Sequence, residues 1–142
     1  MIDLVLYQSA LWALWVVIAT VFVQGMIAAA IKAKQPNAIP GQMPEGLDHH
    51  SIVFRTSRTH LNSLENLPVF LGTAIIAILA HANPTWTTLW IWLYAIARLA
   101  HMLLYYAIAT NRNPSPRSYF YLLGVIANIA LLVLIVITLC QV

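Results

Sequence analysis

The chain has 142 residues, of which 61% are hydrophobic and only 8% charged, and its formal net charge is +3. A soluble domain carries about 25% charged residues, so this composition excludes a globular domain with a water-facing surface. The small basic excess does not indicate a nucleic-acid partner.

Four long apolar segments follow one another along the chain, separated by short stretches rich in Pro, Asn and charged residues. Each is long enough for the ~20 residues that cross a bilayer core. Backbone hydrogen bonds in lipid must be satisfied within each segment, which requires helices. The sequence therefore predicts an all-α integral membrane protein, a single domain over residues 1–142 whose four transmembrane helices form a left-handed bundle. The predicted helices cover residues 4–33, 53–82, 85–110 and 117–141.

The first helix starts without the basic region of a signal peptide, so we expect it to be retained. It ends near Lys32 and Lys34, and a loop rich in Pro and Gly follows. Two adjacent histidines, His49 and His50, close this loop. Their spacing matches no zinc site, so we predict no bound metal.

The basic residues are distributed unevenly about the predicted membrane. Six of the seven lie at the loops between helices 1 and 2 and between helices 3 and 4, whereas the opposite side has only Asp3. The six are Lys32, Lys34, Arg55, Arg58, Arg112 and Arg117. Because basic loops stay in the cytoplasm, we predict that both loops are cytoplasmic and that both termini lie on the opposite side.

Helices 2 and 3 each carry polar side chains at helical spacing. The two sets are Arg58, Asn62 and Glu65 on helix 2 and Arg98, His101 and Tyr105 on helix 3. Ionisable groups in hydrocarbon are costly, so they are usually paired, line a wet cavity or bind a polar ligand. The alternative is that they only hold helices together, through hydrogen bonds of about 0.6–2 kcal/mol each. Two arginines, a glutamate and a histidine exceed what such packing requires.

Two of these charges, Glu65 and Arg98, are expected at the same depth in the membrane. With a rise of 1.5 Å per residue, Glu65 and Arg98 each lie about 18 Å from the cytoplasmic face, on antiparallel helices. Because an unpaired charge at that depth costs several kcal/mol, we predict a Glu65–Arg98 ion pair, within one subunit or between two.

Helix 4 begins with a third polar group. Arg117 and Ser118 follow Pro116, and Tyr121 lies one turn further along. Free amides at a helix start and an adjacent guanidinium favour an anion. A guanidinium that faces a sulfur favours the thiolate over the thiol. Alternatively, Arg117 only anchors the helix at the lipid headgroups.

Three motifs carry a family resemblance. They are RTHLNSLEN at residues 58–66, RLAHxxxY from Arg98 and PRSxxY from Pro116. In this order and spacing they resemble the helix-2, helix-3 and helix-4 motifs of the MAPEG family, the membrane-associated proteins in eicosanoid and glutathione metabolism, over about residues 50–125. Leu61 agrees with the microsomal glutathione transferase branch rather than the prostaglandin E synthase branch, which has arginine there.

The resemblance implies a homotrimer of four-helix subunits, with glutathione bound at each subunit interface and open to the cytoplasm. It implies that Arg117 is the catalytic residue that stabilises the glutathione thiolate, and that Arg98 braces Glu65. The residues implied to form the glutathione pocket are Arg58, Asn62, Glu65, Arg98, His101, Tyr105, Ser118 and Tyr121.

The sequence thus predicts a membrane-bound glutathione transferase of detoxification, which conjugates glutathione to lipophilic electrophiles or reduces lipid hydroperoxides. Two other classes remain. A small four-helix transporter usually carries an acidic residue near the middle of helix 1, where this chain has none. A non-catalytic family member, acting as a scaffold or lipid binder, would keep the binding residues without turnover.

Overall fold

The computed structural model of the chain describes residues 4–36 and 38–141. Within these ranges the only regular secondary structure is helical, and the four long helices are each long and apolar enough to cross a membrane. They are α1 (Gln8–Ala33), preceded by a 3-10 turn at Leu4–Tyr7, α2 (Ile52–Leu79), α3 (Pro84–Ala107) and α4 (Pro116–Leu139). The predicted all-α, four-helix, multi-pass membrane fold is confirmed. The predicted placement of Asp3 falls on a residue outside the described ranges.

Helix α2 ends three residues before the predicted boundary because the chain forms a hydrogen-bonded C-terminal cap. The Ala82 amide donates to the Ala77 carbonyl at 2.9 Å, and the His81 amide donates to the Ile78 carbonyl at 3.1 Å. This pair of bonds is the Schellman motif, which requires a left-handed residue between the helix end and the next segment. His81 takes that conformation, with φ of 58°.

Helix α3 begins immediately after this cap. The Asn83 side-chain oxygen accepts from the backbone amides of Thr85 and Trp86, at 3.1 and 3.2 Å. Pro84 occupies the first helical position, where its missing amide hydrogen costs nothing. Helix α3 ends at Ala107, three residues earlier than predicted, because Ile108 is already extended.

An apolar core fills the half of the bundle away from the two basic loops. The side chains of Phe70, Ile91 and Leu131 are fully buried there, as is Tyr7 from the N-terminal turn. The rings of Phe70 and Tyr94 stack in parallel with centroids 3.5 Å apart. Aromatic pairs of this kind add about 0.5–1.5 kcal/mol beyond their burial. Close packing at this end leaves the polar side chains gathered at the other.

The left-handed residue at the end of α2 generates a stability prediction. A non-glycine side chain in this conformation is strained by about 1–2 kcal/mol, whereas glycine is not. After allowance for the greater freedom of glycine in the unfolded chain, we expect His81→Gly to stabilise the fold by about 0.5–1 kcal/mol. Thermal unfolding in detergent measures this change.

The matched control is Ala80→Gly, one residue earlier, where the backbone is right-handed with φ of −76°. Glycine relieves no strain there, so this variant should lose about 0.5–1 kcal/mol. Equal destabilisation by both variants would contradict the role assigned to His81.

Candidate functional site

A cavity of about 210 Å³ lies between α2, α3 and α4, at the end of the bundle that carries the two basic loops. Seven side chains line it, and each is a site residue predicted from the sequence: Arg58, Asn62, His101, Tyr105, Arg117, Ser118 and Tyr121. We call this the first cavity. The bundle therefore brings together residues from three separate motifs.

The two remaining predicted residues lie deeper in the bundle. Glu65 and Arg98 line a neighbouring second cavity of about 170 Å³, which also includes Tyr121. The polar sets of α2 and α3 are thus divided in the same way. In each set the residue furthest from the basic loops, Glu65 or Arg98, lines the second cavity, and the other two residues line the first.

Arg117 is held on two sides at the mouth of the first cavity. Its guanidinium carbon lies 4.0 Å from the centroid of the Tyr105 ring, a cation–π contact. Its Nη2 atom lies 3.4 Å from Nδ1 of His49. The other nitrogen, Nη1, is buried and has no hydrogen-bond partner among the described residues. The side chain therefore presents a fixed positive charge with a free donor, which suits an anionic ligand.

Ser118 helps to form the start of α4 as well as lining the cavity. Its hydroxyl oxygen accepts from the Ser115 amide at 3.2 Å and lies 3.3 Å from the Ser115 hydroxyl. These bonds satisfy groups that a helix start otherwise leaves without partners. Ser118 thereby fixes the first turn of α4, from which Arg117 projects.

The predicted ion pair between Glu65 and Arg98 is wrong for a single subunit. Arg98 instead donates from Nη2 to the Asn62 side-chain oxygen at 2.8 Å and to the Ser63 hydroxyl at 3.0 Å. Glu65 lies 3.8 Å from Nη1 of Arg58, on its own helix. Equal depth does not bring the two charges into contact, because Arg98 points into the bundle whereas Glu65 is more than half exposed. A pair between subunits stays a prediction.

Aromatic rings surround His101 on the wall of the first cavity. Its ring centroid lies 5.7 Å from that of Tyr105, edge to face, and 6.4 Å from that of Tyr121. The imidazole is buried, and its Nδ1 atom has no hydrogen-bond partner in the described part of the chain. His101 thus lines the cavity with a nitrogen that no described group satisfies.

Two residues near the cavity were missed by the sequence analysis. The first is His49 in the loop, whose Nδ1 atom lies 3.0 Å from the Tyr105 hydroxyl. The second is Arg55 in α2, which donates to the carbonyls of His49 and His50, both at 2.9 Å, and to the Tyr106 carbonyl at 3.3 Å. The bonds from Arg55 hold the end of the loop against α3.

A further bond joins the two basic loops. Asp48 accepts from the Asn111 side-chain amide at 3.0 Å and from the His50 backbone amide at 2.9 Å. The Asn111 bond, followed by the His50 bond, lowers the pKa of the Asp48 carboxyl below its usual value. No local signal reveals the Tyr105–His49 and Asn111–Asp48 contacts, because they join positions more than 50 residues apart in the sequence.

The donors present suit an anionic organic ligand better than a metal. Within the described ranges, no group of three or more His, Cys, Asp or Glu residues is placed to hold a metal ion. The polar atoms without partners in the first cavity belong instead to an arginine and a histidine.

Comparison with known proteins gives one match. The family model described as MAPEG family matches residues 9–137, which include every residue that lines the two cavities. No curated protein and no solved structure matches the chain.

The environment of Arg98 generates a second prediction. Ser63→Ala removes one acceptor of a buried guanidinium, so we expect a loss of about 1–3 kcal/mol in unfolding free energy. Thermal or denaturant unfolding in detergent measures it. The control is Ser57→Ala on the same helix, which leaves both acceptors of Arg98 in place and should change stability by less than about 0.5 kcal/mol. If the two serine variants unfold alike, the bond from Arg98 to Ser63 contributes nothing.

Proposed function

The chain belongs to the MAPEG family, and from this premise we propose that it is a membrane-bound glutathione transferase. Family membership by itself supports a glutathione-related function in a membrane. The finer proposal is that the protein conjugates glutathione to lipophilic electrophiles, with reduction of lipid hydroperoxides as a second reaction of the same thiolate. The observation that carries it is the first cavity, whose lining is made of the residues predicted to bind glutathione.

The charges around the cavities complement those of glutathione, which has two carboxylates, one ammonium group and a thiol. Arg58 and Arg117 provide two guanidinium groups, and Asn62 provides an amide for the peptide bonds. Glu65, which lines the second cavity, provides a carboxylate for the ammonium group. The Nη1 atom of Arg117 and the Nδ1 atom of His101 lack partners among the described residues, and both residues line the first cavity.

The dimensions of the site support assembly into a homotrimer. Pockets that enclose small organic ligands usually measure about 300–1,000 Å³, and the first cavity of one chain reaches only about 210 Å³. The side chains of Arg58 and Glu65 are 42% and 58% exposed in the single chain, although they lie within a transmembrane helix. A neighbouring subunit would cover them and enclose the ligand. We further propose that the site opens to the cytoplasm, on the side of the basic loops.

In the proposed mechanism Arg117 holds the sulfur as the thiolate. Its positive charge favours the ionised form, and a thiol pKa lowered from about 8.5 toward 7 would raise the thiolate fraction at neutral pH more than tenfold. The sulfur then forms a bond to the electrophilic carbon of the acceptor, whose leaving group departs with the bonding electrons. Tyr105 keeps the guanidinium in position through its ring face.

The second cavity is the proposed entry for the lipophilic acceptor. It shares Tyr121 with the first cavity, and apolar side chains line much of it, among them Val69, Val125 and Ile129. Val69 and Ile129 are also exposed on the outer surface of the chain. An acceptor dissolved in the bilayer could therefore reach the sulfur from the lipid side, between adjacent subunits.

The thiolate role of Arg117 generates the central prediction. Glutathione added to the purified protein should produce the ultraviolet absorption band of a thiolate, and Arg117→Ala should abolish the band and lower kcat/KM for conjugation by about 100-fold. The matched control is Arg112→Ala, an exposed arginine in the loop just before α4 that does not line either cavity. That variant should retain both the band and the activity.

Two other results would point away from the proposal. Glutathione binding without a thiolate band in the wild-type protein would favour the non-catalytic scaffold. No binding of glutathione, together with substrate-driven proton flux in liposomes, would favour the transporter.

The proposed assembly is tested separately from the chemistry. Light scattering of the protein–detergent complex, with the detergent mass subtracted, should give three times the 15.8 kDa chain mass. A monomer that still binds glutathione would contradict the interfacial site and leave Arg117 as the thiolate ligand.

A further inference from the structure

We propose that His49 positions Arg117 for the thiolate, by accepting hydrogen bonds through an uncharged Nδ1 atom from both Arg117 and Tyr105. This inference rests on the proposed glutathione transferase function and adds to it a residue from the loop that no motif contains. His49 does not line the first cavity itself. It is therefore a positioning residue rather than a catalytic one.

The hydrogen bonds define the state of the imidazole ring. Nδ1 of His49 lies 3.4 Å from Nη2 of Arg117 and 3.0 Å from the hydroxyl of Tyr105. An arginine only donates hydrogen bonds, so we assign this nitrogen as the acceptor, and the two donors share its single lone pair. The ring proton then lies on Nε2, and the Tyr105 hydroxyl donates to the same Nδ1. One acceptor thus joins α3 to α4 above the first cavity.

The His49 ring is held in place by groups on both sides of it. The Arg55 guanidinium binds its backbone carbonyl, and the Phe54 ring meets the imidazole edge to face with centroids 5.0 Å apart. Asp48, the preceding residue, is bound to Asn111 in the opposite loop. The acceptor is therefore fixed by the loop, and its position does not depend on Arg117.

Mostly positive charges surround the imidazole. The charged and titratable groups that face it are Tyr105 from α3, Arg117 from α4, Arg55 and Arg58 from α2, and Asp48 and His50 from the loop. Burial first, and then the charge of Arg117, lower the pKa of His49 below its usual value of 6.5. The ring is accordingly uncharged at neutral pH, as the hydrogen bonds require.

Protonation of His49 would remove this arrangement. An imidazolium has a hydrogen on both nitrogens, so it cannot accept from Arg117 and repels the guanidinium instead. Arg117 would then retain only its contact with the Tyr105 ring. Two ionisations would therefore lower the rate as the pH falls, because the thiolate and the uncharged imidazole are both lost.

The test measures kcat and KM for glutathione against pH, with a chloronitrobenzene as the electrophile. The wild-type plot of log kcat against pH should steepen on its acid limb to a slope clearly above one, because loss of the uncharged His49 adds to loss of the thiolate. His49→Asn keeps an uncharged acceptor near the position of Nδ1 and cannot titrate. It should retain kcat at pH 7 within about threefold and show a slope of about one.

Two further variants complete the series. His49→Ala removes the acceptor, so kcat at pH 7 should fall about tenfold while KM for glutathione changes less than about threefold. His50→Asn changes the neighbouring exposed histidine, whose ring has no hydrogen bond to either partner of His49, and should retain the wild-type slope.

The outcomes separate this inference from the function on which it rests. A wild-type slope in His49→Asn, or an unchanged kcat in His49→Ala, would overturn the role of His49 while the thiolate band of the wild-type protein still supports the transferase. If His49→Ala does not fold, the slope of His49→Asn decides alone. Absence of a thiolate band in the wild-type protein would overturn both.

Discussion

The arrangement of this bundle depends on one buried guanidinium. Arg98 is only 5% exposed at mid-depth in a membrane protein, where an unsatisfied charge would cost several kcal/mol. Its bonds to Asn62 and Ser63 therefore set the rotation of α2 relative to α3. Asn62 also lines the first cavity, so the same contact fixes one wall of the site. Arg58 and His101 lie one turn nearer the loops on the two helices, and their positions follow from it.

The two ends of the bundle contribute differently, one to stability and the other to the candidate site. At one end, close packing such as the Phe70–Tyr94 stack provides stability mainly through apolar contacts. At the other, the cation–π contact between Arg117 and Tyr105, together with the hydrogen bonds to His49, holds a positive charge beside an open cavity. Such a site is costly to build, because its charges repel one another until a ligand is bound. The apolar end of the same helices provides the stability that the site does not.

Much of the candidate site could be predicted from the sequence, because its members repeat at helical spacing. The polar residues of α2 and α3 share faces through the 3.6-residue period, which is local and independent of neighbours. The predicted contact between Glu65 and Arg98 failed because depth along an axis contains no information about rotation around it. His49 was missed for a related reason. It belongs to a loop with no period, and its partners Tyr105 and Arg117 are 56 and 68 residues away.

By itself, the sequence determined that the protein is a four-helix membrane protein and which side chains share a face of each helix. These properties depend on composition, on segment length and on a helical period that every backbone obeys. Only the tertiary structure decided that Arg98 bonds to Asn62 and Ser63, that Glu65 stays with Arg58, and that His49 reaches the mouth of the cavity. Those contacts depend on how packing rotates each helix against the next and on the path of the loop. The spacing of residues along the sequence predicts neither.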